Sequence, residues 1–231
     1  MSEISRNFAR PFDLSKPQNW RKADESNDDN FYVDPRLVVH VDEHFIETLG
    51  QYFAEHLPPQ ATILDIMSSY KTHLPATYPR GKIYGLGMNQ AEMQANNQLN
   101  EVIVQNLNLN PKLPYPDATF DAVLNTVSVQ YLVKPLEVFR EVGRVLKPGG
   151  QYIVSFSNRM FPTKAVQIWR DANEPARLAL VEQYFNETGL FEPPEFFEEI
   201  DSKSQGQGGN FWSMLFTPKD PVYILNGKKR A

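Results

Sequence analysis

The chain of 231 residues carries 28 acidic and 23 basic side chains, and its net charge of −5 argues against a general nucleic-acid or anionic-membrane binder. Hydrophobic residues make up 41% of the chain, enough for a sizeable core, which excludes wholesale disorder. The absence of cysteine excludes a disulfide framework, a thiolate zinc site and a cysteine nucleophile. The four histidines lack the spacing of metal ligands, so no metal site is expected.

The N-terminal residues are polar, without the apolar core of a secretory signal, and no apolar run approaches the ~18 residues of a membrane span. We therefore expect a cytoplasmic protein with no membrane or nucleic-acid partner. Residues 1–30 end in the polar run DESNDDN, which is typical of a solvated segment. The sequence predicts a polar N-terminal arm over 1–30 and a single domain over 31–231.

The first long predicted helix follows this arm. Asp34 is a suitable N-cap, and Pro35 suits the first helical position because its missing N–H is not needed there. Pro58 and Pro59 would end the helix before the first strand. Its apolar stripe has spacings of three and four residues and consists of Val38, Val41, Phe45, Leu49, Tyr52 and Phe53.

Short apolar runs bounded by Pro, Gly, Ser or Asn then alternate with helical segments, of which one is capped by Asn89 and another begins at Pro135. The predicted strands cover 62–66, 82–86, 101–105, 120–126 and 151–156, and two further β-rich runs cover 211–217 and 222–225. Strands that alternate with helices predict right-handed crossovers and parallel pairing. We therefore predict an α/β fold: a Rossmann-like, doubly wound sheet of about seven strands, mostly parallel, with an antiparallel strand near the C-terminus and helices on both faces.

In open α/β sheets the ligand lies in the crevice beyond the carboxyl ends of the strands. The loops after Asp65 and Leu86 are therefore the first places to search for a binding site. Asp65 itself has two interpretations: it orients the first loop around a ligand, or it accepts hydrogen bonds at the end of a strand.

Two long passages, LPYPDATFDAVLNTVSVQYL and PLEVFREVGRVLKPGGQYIVSF, occur in an order and spacing that resembles the class I S-adenosylmethionine-dependent methyltransferases. The resemblance covers roughly residues 35–227 and is greatest to the small-molecule group of that family. The stretch SFSNRMFPTKAVQIWRD is similar to a plant and cyanobacterial branch. The resemblance implies S-adenosyl-L-methionine as cofactor, methyl transfer as activity and a small-molecule substrate as partner.

The chain departs from the family pattern at three cofactor anchors. The first loop of the family reads D-x-G-x-G-x-G, whereas the segment from Asp65 to Lys71 keeps the acid and has no glycine. Gly87 stands where the family has an acid for the ribose, and Asn106 where it often has an acid for adenine, although an amide oxygen also accepts hydrogen bonds. Two interpretations therefore stay open: an active methyltransferase, or a non-catalytic methyltransferase-like domain that serves as a binding or assembly factor for a protein partner. A nicotinamide dehydrogenase would want G-x-G-x-x-G after the first strand, which is missing.

The family positions imply three groups of site residues. The candidate cofactor-binding residues are Asp65, Met67, Ser68, Ser69, Gly87, Met88, Asn89, Asn106, Leu107, Asn125, Thr126 and Val127. A hydroxyl acceptor would require a base, for which His73, His40 and a water held by Tyr131 are candidates, whereas a thiol, amine or carbanion acceptor would need none, and the sequence does not choose between them. The family positions make Tyr131, His73 and Gln130 the catalytic candidates. Substrate contacts are expected from a lid-like helical insertion at about 160–190 and from the first helix, and the candidates are Arg36, His40, Asn158, Arg159, Trp169 and Arg170.

Each of these residues also has a structural interpretation. Met88 could fill a gap in the core, since methionine does so more often than it contacts a ligand. Tyr131 could be a packing aromatic, and the two arginines of the lid, Arg159 and Arg170, could pair with the many acidic side chains of the chain.

Overall fold

The computed structural model describes residues 11–200 and 219–231 and centres on a seven-stranded sheet. The strands are β1 (Ile63–Ile66), β2 (Ile83–Gly87), β3 (Glu101–Val104), β4 (Phe120–Thr126), β5 (Leu146–Phe156), β6 (Glu195–Glu199) and β7 (Val222–Lys228). Their order is β3-β2-β1-β4-β5-β7-β6. The first five are joined by parallel pairing, and β7 is antiparallel to both β5 and β6. The predicted α/β sheet is confirmed, and its topological switch point lies between β1 and β4.

Helices cover both faces of this sheet. They are α1 (Asp28–Phe31), α2 (Glu43–His56), α3 (Gln90–Ala95), α4 (Pro135–Val145), α5 (Gln167–Arg170) and α6 (Glu174–Thr188). Within the described ranges, none of these helices combines the length and apolarity needed to cross a bilayer.

The core forms two layers because successive side chains of a strand point to opposite faces. Ile63 of β1 packs in the layer under α2, whose Phe45, Leu49 and Phe53 are fully buried there. Leu64, the next residue of β1, belongs to the layer under α4 and α6. The sheet is thus enclosed on both sides, and its carboxyl edge is left for the loops.

The prediction of a helix beginning at Pro35 is wrong. Helix α2 begins at Glu43, where the Asp42 side chain caps it by accepting from the backbone N–H of Phe45 at 2.9 Å. Residues 32–40 instead cross the carboxyl edge of the sheet, held by hydrogen bonds from other elements. Among them, Arg36 N–H donates to the Glu92 side chain at 2.7 Å. Such tertiary bonds override the helical pattern.

Smaller differences concern the C-terminal half of the domain. Strand β5 starts at Leu146, before the predicted start at 151, so it includes Pro148, Gly149 and Gly150, and its register against β4 is irregular. The predicted strand at 211–217 lies outside the described residues. The helical region at about 160–190 consists of two helices, since α5 ends at Arg170 and α6 begins at Glu174.

The described part of the N-terminal arm packs on the domain. The Trp20 ring lies 6.3 Å from the Tyr184 ring of α6. The fully buried Lys164 side chain places its Nζ 2.9 Å from Asp24 and 3.4 Å from Asp28. These contacts bring α1 to the edge of the sheet where the ligand crevice was expected.

Candidate active site

A cavity of about 520 Å³ lies at the carboxyl ends of β1, β2 and β4, on the edge predicted from the strand pattern. Residues from α1 to about position 40 form one of its walls. Sixteen of the candidate residues line it: Arg36, His40, Asp65, Met67, Ser68, Ser69, His73, Met88, Asn89, Asn106, Leu107, Thr126, Val127, Tyr131, Asn158 and Arg159.

Five candidates do not line this cavity, namely Gly87, Asn125, Gln130, Trp169 and Arg170. Asn125 is fully buried and accepts from the Ser128 hydroxyl at 2.5 Å. Gln130 is also buried and donates to a backbone carbonyl at 2.9 Å. Trp169 packs edge-to-face on Phe156 at 4.9 Å and belongs to the core. Since none of these five residues lines the cavity, the cavity does not support the cofactor-binding, catalytic or substrate-binding roles expected of them.

The first loop is organised by a carboxyl group in place of glycines. Asp65 Oδ2 accepts from Ser68 Oγ at 2.7 Å and from Thr72 Oγ1 at 2.9 Å. Burial raises the pKa of Asp65 to about 7, although the two hydroxyl donors act in the opposite direction. Asp65 thus fixes the path of the loop from the end of β1 to Thr72.

Three non-glycine residues around the cavity adopt the left-handed backbone conformation: Met67 at φ 53°, His73 at φ 65° and Val127 at φ 48°. A positive φ is unusual for any of them and a genuine outlier for the β-branched Val127. Such strain concentrates at ligand and catalytic sites, where the surrounding structure enforces it. Met67 shows that the first loop obtains a glycine-like turn without glycine.

The same loop closes the space above the end of β2. Ser68 N–H donates to the Leu86 carbonyl at 2.9 Å. A Cβ added to Gly87 would lie 2.1 Å from the carbonyl oxygen of Ser68. Position 87 therefore accepts no side chain, and an acid for a ribose cannot stand there in this arrangement.

Glu92 supplies a carboxylate close to this place, and the sequence analysis missed it. It is buried in the first turn of α3, where it accepts from Ser69 Oγ at 2.6 Å and from Arg36 N–H at 2.7 Å. Asn89 caps the helix by accepting from Glu92 N–H at 3.0 Å and donates to the Tyr32 carbonyl at 2.8 Å. The sequence signal for Glu92 was its position three residues after the N-cap Asn89, a pattern that ordinarily indicates helix capping and not a binding site.

Arg36 places a cation against the cavity. Its guanidinium carbon lies 4.5 Å from the centre of the Phe31 ring, and Nη2 donates to the Phe31 carbonyl at 2.8 Å. Its Nη1 is buried and has no hydrogen-bond partner among the described residues. A buried charged donor without an acceptor is costly, so an anionic oxygen of a ligand would satisfy it.

Two histidines face the cavity in their neutral form. Burial lowers the pKa of His73 to about 4, and the neighbouring Lys71 adds to this effect. Burial also lowers the pKa of His40, whose ring lies 5.1 Å from that of Phe161. At neutral pH both imidazoles are uncharged, so each has a lone pair that accepts a proton or a hydrogen bond.

Tyr131 and Arg159 line the cavity but already have internal partners. The Tyr131 hydroxyl accepts from Phe161 N–H at 2.8 Å. Arg159 Nε donates to the Asp220 carboxylate at 2.6 Å, which ties the loop after β5 to the start of β7. Both side chains therefore position the wall of the cavity.

Two asparagines after β3 attach α1 to the sheet edge. Asn106 Nδ2 donates to the Asp29 carboxylate at 3.0 Å. Asn108, which the sequence analysis missed, donates to the Asp28 carboxylate and to the Tyr131 carbonyl, both at 3.0 Å. The Asn106 side chain, which was expected to contact adenine, thus makes a hydrogen bond within the chain.

Comparison with known proteins identifies a similar domain. Residues 68–154 match the family described as "Methyltransferase domain". A malonyl-[acyl-carrier protein] O-methyltransferase from Marinomonas sp. (strain MWYL1) is 39% identical over 114 residues, which make up 49% of this chain and 40% of that protein. The chain spans two fifths or less of the length of the curated relatives it matches.

Solved structures share the fold. A chain of the Haloferax volcanii complex with the Trm112 methyltransferase activator matches with a TM-score of 0.56 and 17% identity, over 80% of this chain and 92% of that chain. The geranyl diphosphate C-methyltransferase from Streptomyces coelicolor A3(2) matches with a TM-score of 0.51 and 12% identity, over 79% of this chain and 77% of that chain. The chain therefore has the Rossmann-like methyltransferase fold, and its residues 68–154 are similar to a methyltransferase domain in sequence.

Proposed function

We propose that the protein transfers a methyl group from S-adenosyl-L-methionine to a small-molecule acceptor. The observation that carries this proposal is the cavity of about 520 Å³ at the switch point of a methyltransferase-like sheet. Two relatives support it: the Marinomonas protein is named as an O-methyltransferase, and the Streptomyces enzyme was solved with S-adenosyl-L-homocysteine. We place the enzyme in the cytoplasm and in the plant and cyanobacterial branch, with one catalytic domain over 31–231.

The cavity residues fit this cofactor. The volume of the cavity lies in the range of about 300–1,000 Å³ that is usual for small-molecule sites. Arg36, with its unpartnered Nη1, would hold the carboxylate of the amino-acid part. Glu92 and Ser69 would meet polar groups near the end of β2, where Gly87 offers no side chain. When bound, S-adenosyl-L-methionine supplies an electrophilic methyl group on a sulfonium.

The chain's own contribution is to position the acceptor and to take up its proton. His73 is neutral at pH 7 and sits in the cavity wall, so it accepts the proton of an acceptor hydroxyl as that oxygen attacks. His40 is the second neutral imidazole in this wall. Phe161 and Met160 line the cavity and would limit the access of water to the reacting atoms.

A second function is favoured by the internal use of cofactor anchors. The Ser68 carbonyl occupies the end of β2, Asn106 binds Asp29, and Asn89 binds the Tyr32 carbonyl. A domain with these changes could serve as a non-catalytic binding or assembly factor with a protein partner. The Haloferax chain, which comes from a complex with an activator protein, offers a precedent for such a partner in this fold.

Calorimetric titration with S-adenosyl-L-methionine and S-adenosyl-L-homocysteine separates the two functions. We expect micromolar binding of both ligands to the full chain. Arg36→Met should weaken binding about tenfold or more, because it removes a charge-assisted hydrogen bond. Arg140→Met, on the exposed face of α4, is the matched control and should bind as the wild type does. No binding at millimolar ligand would refute methyl transfer and leave the assembly function.

A further inference from the structure

Two side chains of the cavity wall keep an atom without a hydrogen-bond partner. Among the residues that the structure describes, seven buried side-chain atoms lack such a partner, and those that belong to the cavity wall are Asp28 Oδ1 and Arg36 Nη1. The first accepts hydrogen bonds and the second donates them. Because an unpaired polar atom is costly when it is buried, both atoms indicate contacts with a ligand. Arg36 already has a proposed partner in the carboxylate of the cofactor, whereas Asp28 has none.

The carboxylate of Asp28 is held in place through its other oxygen. Oδ2 accepts from Lys22 Nζ and, at 3.0 Å, from Asn108 Nδ2. Lys164 Nζ lies 3.4 Å from Oδ1, close enough for ionic attraction, but it makes no hydrogen bond to that oxygen. The Asp28 side chain is only 9% exposed. Two ammonium groups thus compensate the charge of the carboxylate, and Oδ1 is left to accept a hydrogen bond from a ligand.

Asp28 lies beside the loop after β3, where the family resemblance implies an acceptor for the adenine amine. Asn106, the residue at that position, already uses both ends of its side chain. Its Nδ2 donates to Asp29 at 3.0 Å, and its Oδ1 accepts from Asn108 N–H at 2.9 Å. Asn108 in turn joins this loop to Asp28, and Leu107 between the two asparagines lines the cavity. An acidic oxygen from α1 therefore stands next to a loop whose own candidate acceptor is engaged.

We propose that Asp28 recognises the adenine base of the cofactor, with Oδ1 accepting a hydrogen bond from the exocyclic amine. This assignment rests on the proposed function. A carboxylate only accepts hydrogen bonds, so it matches a base that carries an amine and gains nothing from a base without one. The specificity for adenine thereby comes from α1, in the segment that the sequence predicts to be a polar arm.

Calorimetric titration of the full chain with two ligands tests this assignment. The first is S-adenosyl-L-homocysteine, and the second is its 6-deamino analogue, in which a hydrogen atom replaces the exocyclic amine. The wild type should bind the first compound tighter by about tenfold or more, because only that compound donates a hydrogen bond to the carboxylate. Equal affinities of the wild type for the two compounds would overturn the assignment, and this comparison requires no variant to fold.

Asp28→Asn tests the same contact from the side of the protein. Lys22 and Asn108 donate to Oδ2, so the oxygen of the new amide should take that place and its NH₂ group the place of Oδ1. The variant should therefore bind the 6-deamino analogue at least as tightly as S-adenosyl-L-homocysteine. Asp29→Asn, an exposed neighbour in α1 that does not line the cavity, removes the same charge and should keep the tenfold preference. An Asp28→Asn protein that also keeps it would refute the assignment.

Titration with adenosine and with purine riboside, its 6-deamino analogue, separates the two proposals. Binding of S-adenosyl-L-homocysteine without any preference over its own deamino analogue would overturn the role of Asp28 and leave methyl transfer intact. A preference for adenosine over purine riboside that Asp28→Asn removes, without binding of S-adenosyl-L-homocysteine, would retain Asp28 as the residue that recognises adenine and refute methyl transfer.

Discussion

Replacement of Asp65 by asparagine tests the electrostatics of the first loop. The carboxyl group is buried at the end of β1 and accepts from the hydroxyls of Ser68 and Thr72 through one oxygen, Oδ2. Asparagine has nearly the same shape, and its Oδ1 accepts both hydroxyl hydrogen bonds. The substitution therefore removes the titratable group and preserves the loop.

The size of the effect follows from the pKa of Asp65, which burial raises from its ordinary value of 3.8 to about 7. Between these two values the folded state holds a proton that the unfolded chain has lost, so the free energy of unfolding falls as the pH rises. About three pKa units correspond to about 4 kcal/mol at most. The penalty is absent below pH about 4 and fully present above pH about 7.

The wild-type protein alone does not reveal this penalty, because His73 acts in the opposite direction. Its pKa is lowered from 6.5 to about 4, so the unfolded chain binds the extra proton and stability rises with pH across that interval. The difference in stability between wild type and Asp65→Asn cancels the contribution of His73 and isolates that of Asp65.

Urea denaturation at a series of pH values gives this difference. At pH about 8 we expect Asp65→Asn to be more stable than wild type by up to about 4 kcal/mol, and at pH about 4 the two should be nearly equal. A difference that stays constant over this range, or a wild type that is more stable at pH about 8, would refute the assignment of a buried, protonated Asp65.

Three further predictions concern the surroundings of the site. Gly87→Asp should lower the free energy of unfolding by about 2 kcal/mol, because its Cβ meets the Ser68 carbonyl, and should not strengthen cofactor binding; tighter binding by calorimetry would contradict this account. Lys164→Met should lower the free energy of unfolding, measured by urea denaturation, by about 3 kcal/mol, because it leaves buried Asp28 with one cation fewer. It should also speed proteolysis within residues 11–31, and an unchanged rate of cleavage there would contradict this account. His73→Asn keeps a residue type that tolerates φ 65° and removes the imidazole, so the fall in stability that Asp65 causes between pH about 4 and 7, which His73 offsets in the wild type, should become visible in urea denaturation; a pH dependence equal to that of the wild type would place the offsetting group elsewhere.

The sheet could be predicted from the sequence because its signals are local. The strand predicted at 120–126 coincides with β4. Apolar runs between Pro, Gly and Asn specify such elements without reference to the rest of the chain. The edge of the sheet that carries the cavity followed from the same information.

The wall of the cavity could not be predicted in this way. Residues 35–41 carry a helical apolar pattern, yet their conformation is set by Glu92, which accepts from Arg36 N–H, and Val38 is consequently 55% exposed. Asp28 likewise depends on Lys164, which is 136 positions further along the chain. Hydrogen bonds between distant residues decide these segments, and no local pattern reports them.

Two departures of the chain from the methyltransferase pattern are one structural change. The first loop has no glycine, and the carbonyl of its residue Ser68 lies where a side chain at position 87 would stand, so loss of the loop glycines and loss of the acid after β2 go together. The buried carboxylate of Glu92 accepts from Ser69 of the same loop. Restoring the acid alone would therefore strain the loop, because its Cβ would meet the Ser68 carbonyl. A ligand in this cavity would therefore contact Glu92 and the rearranged first loop, because no acid stands at the end of β2.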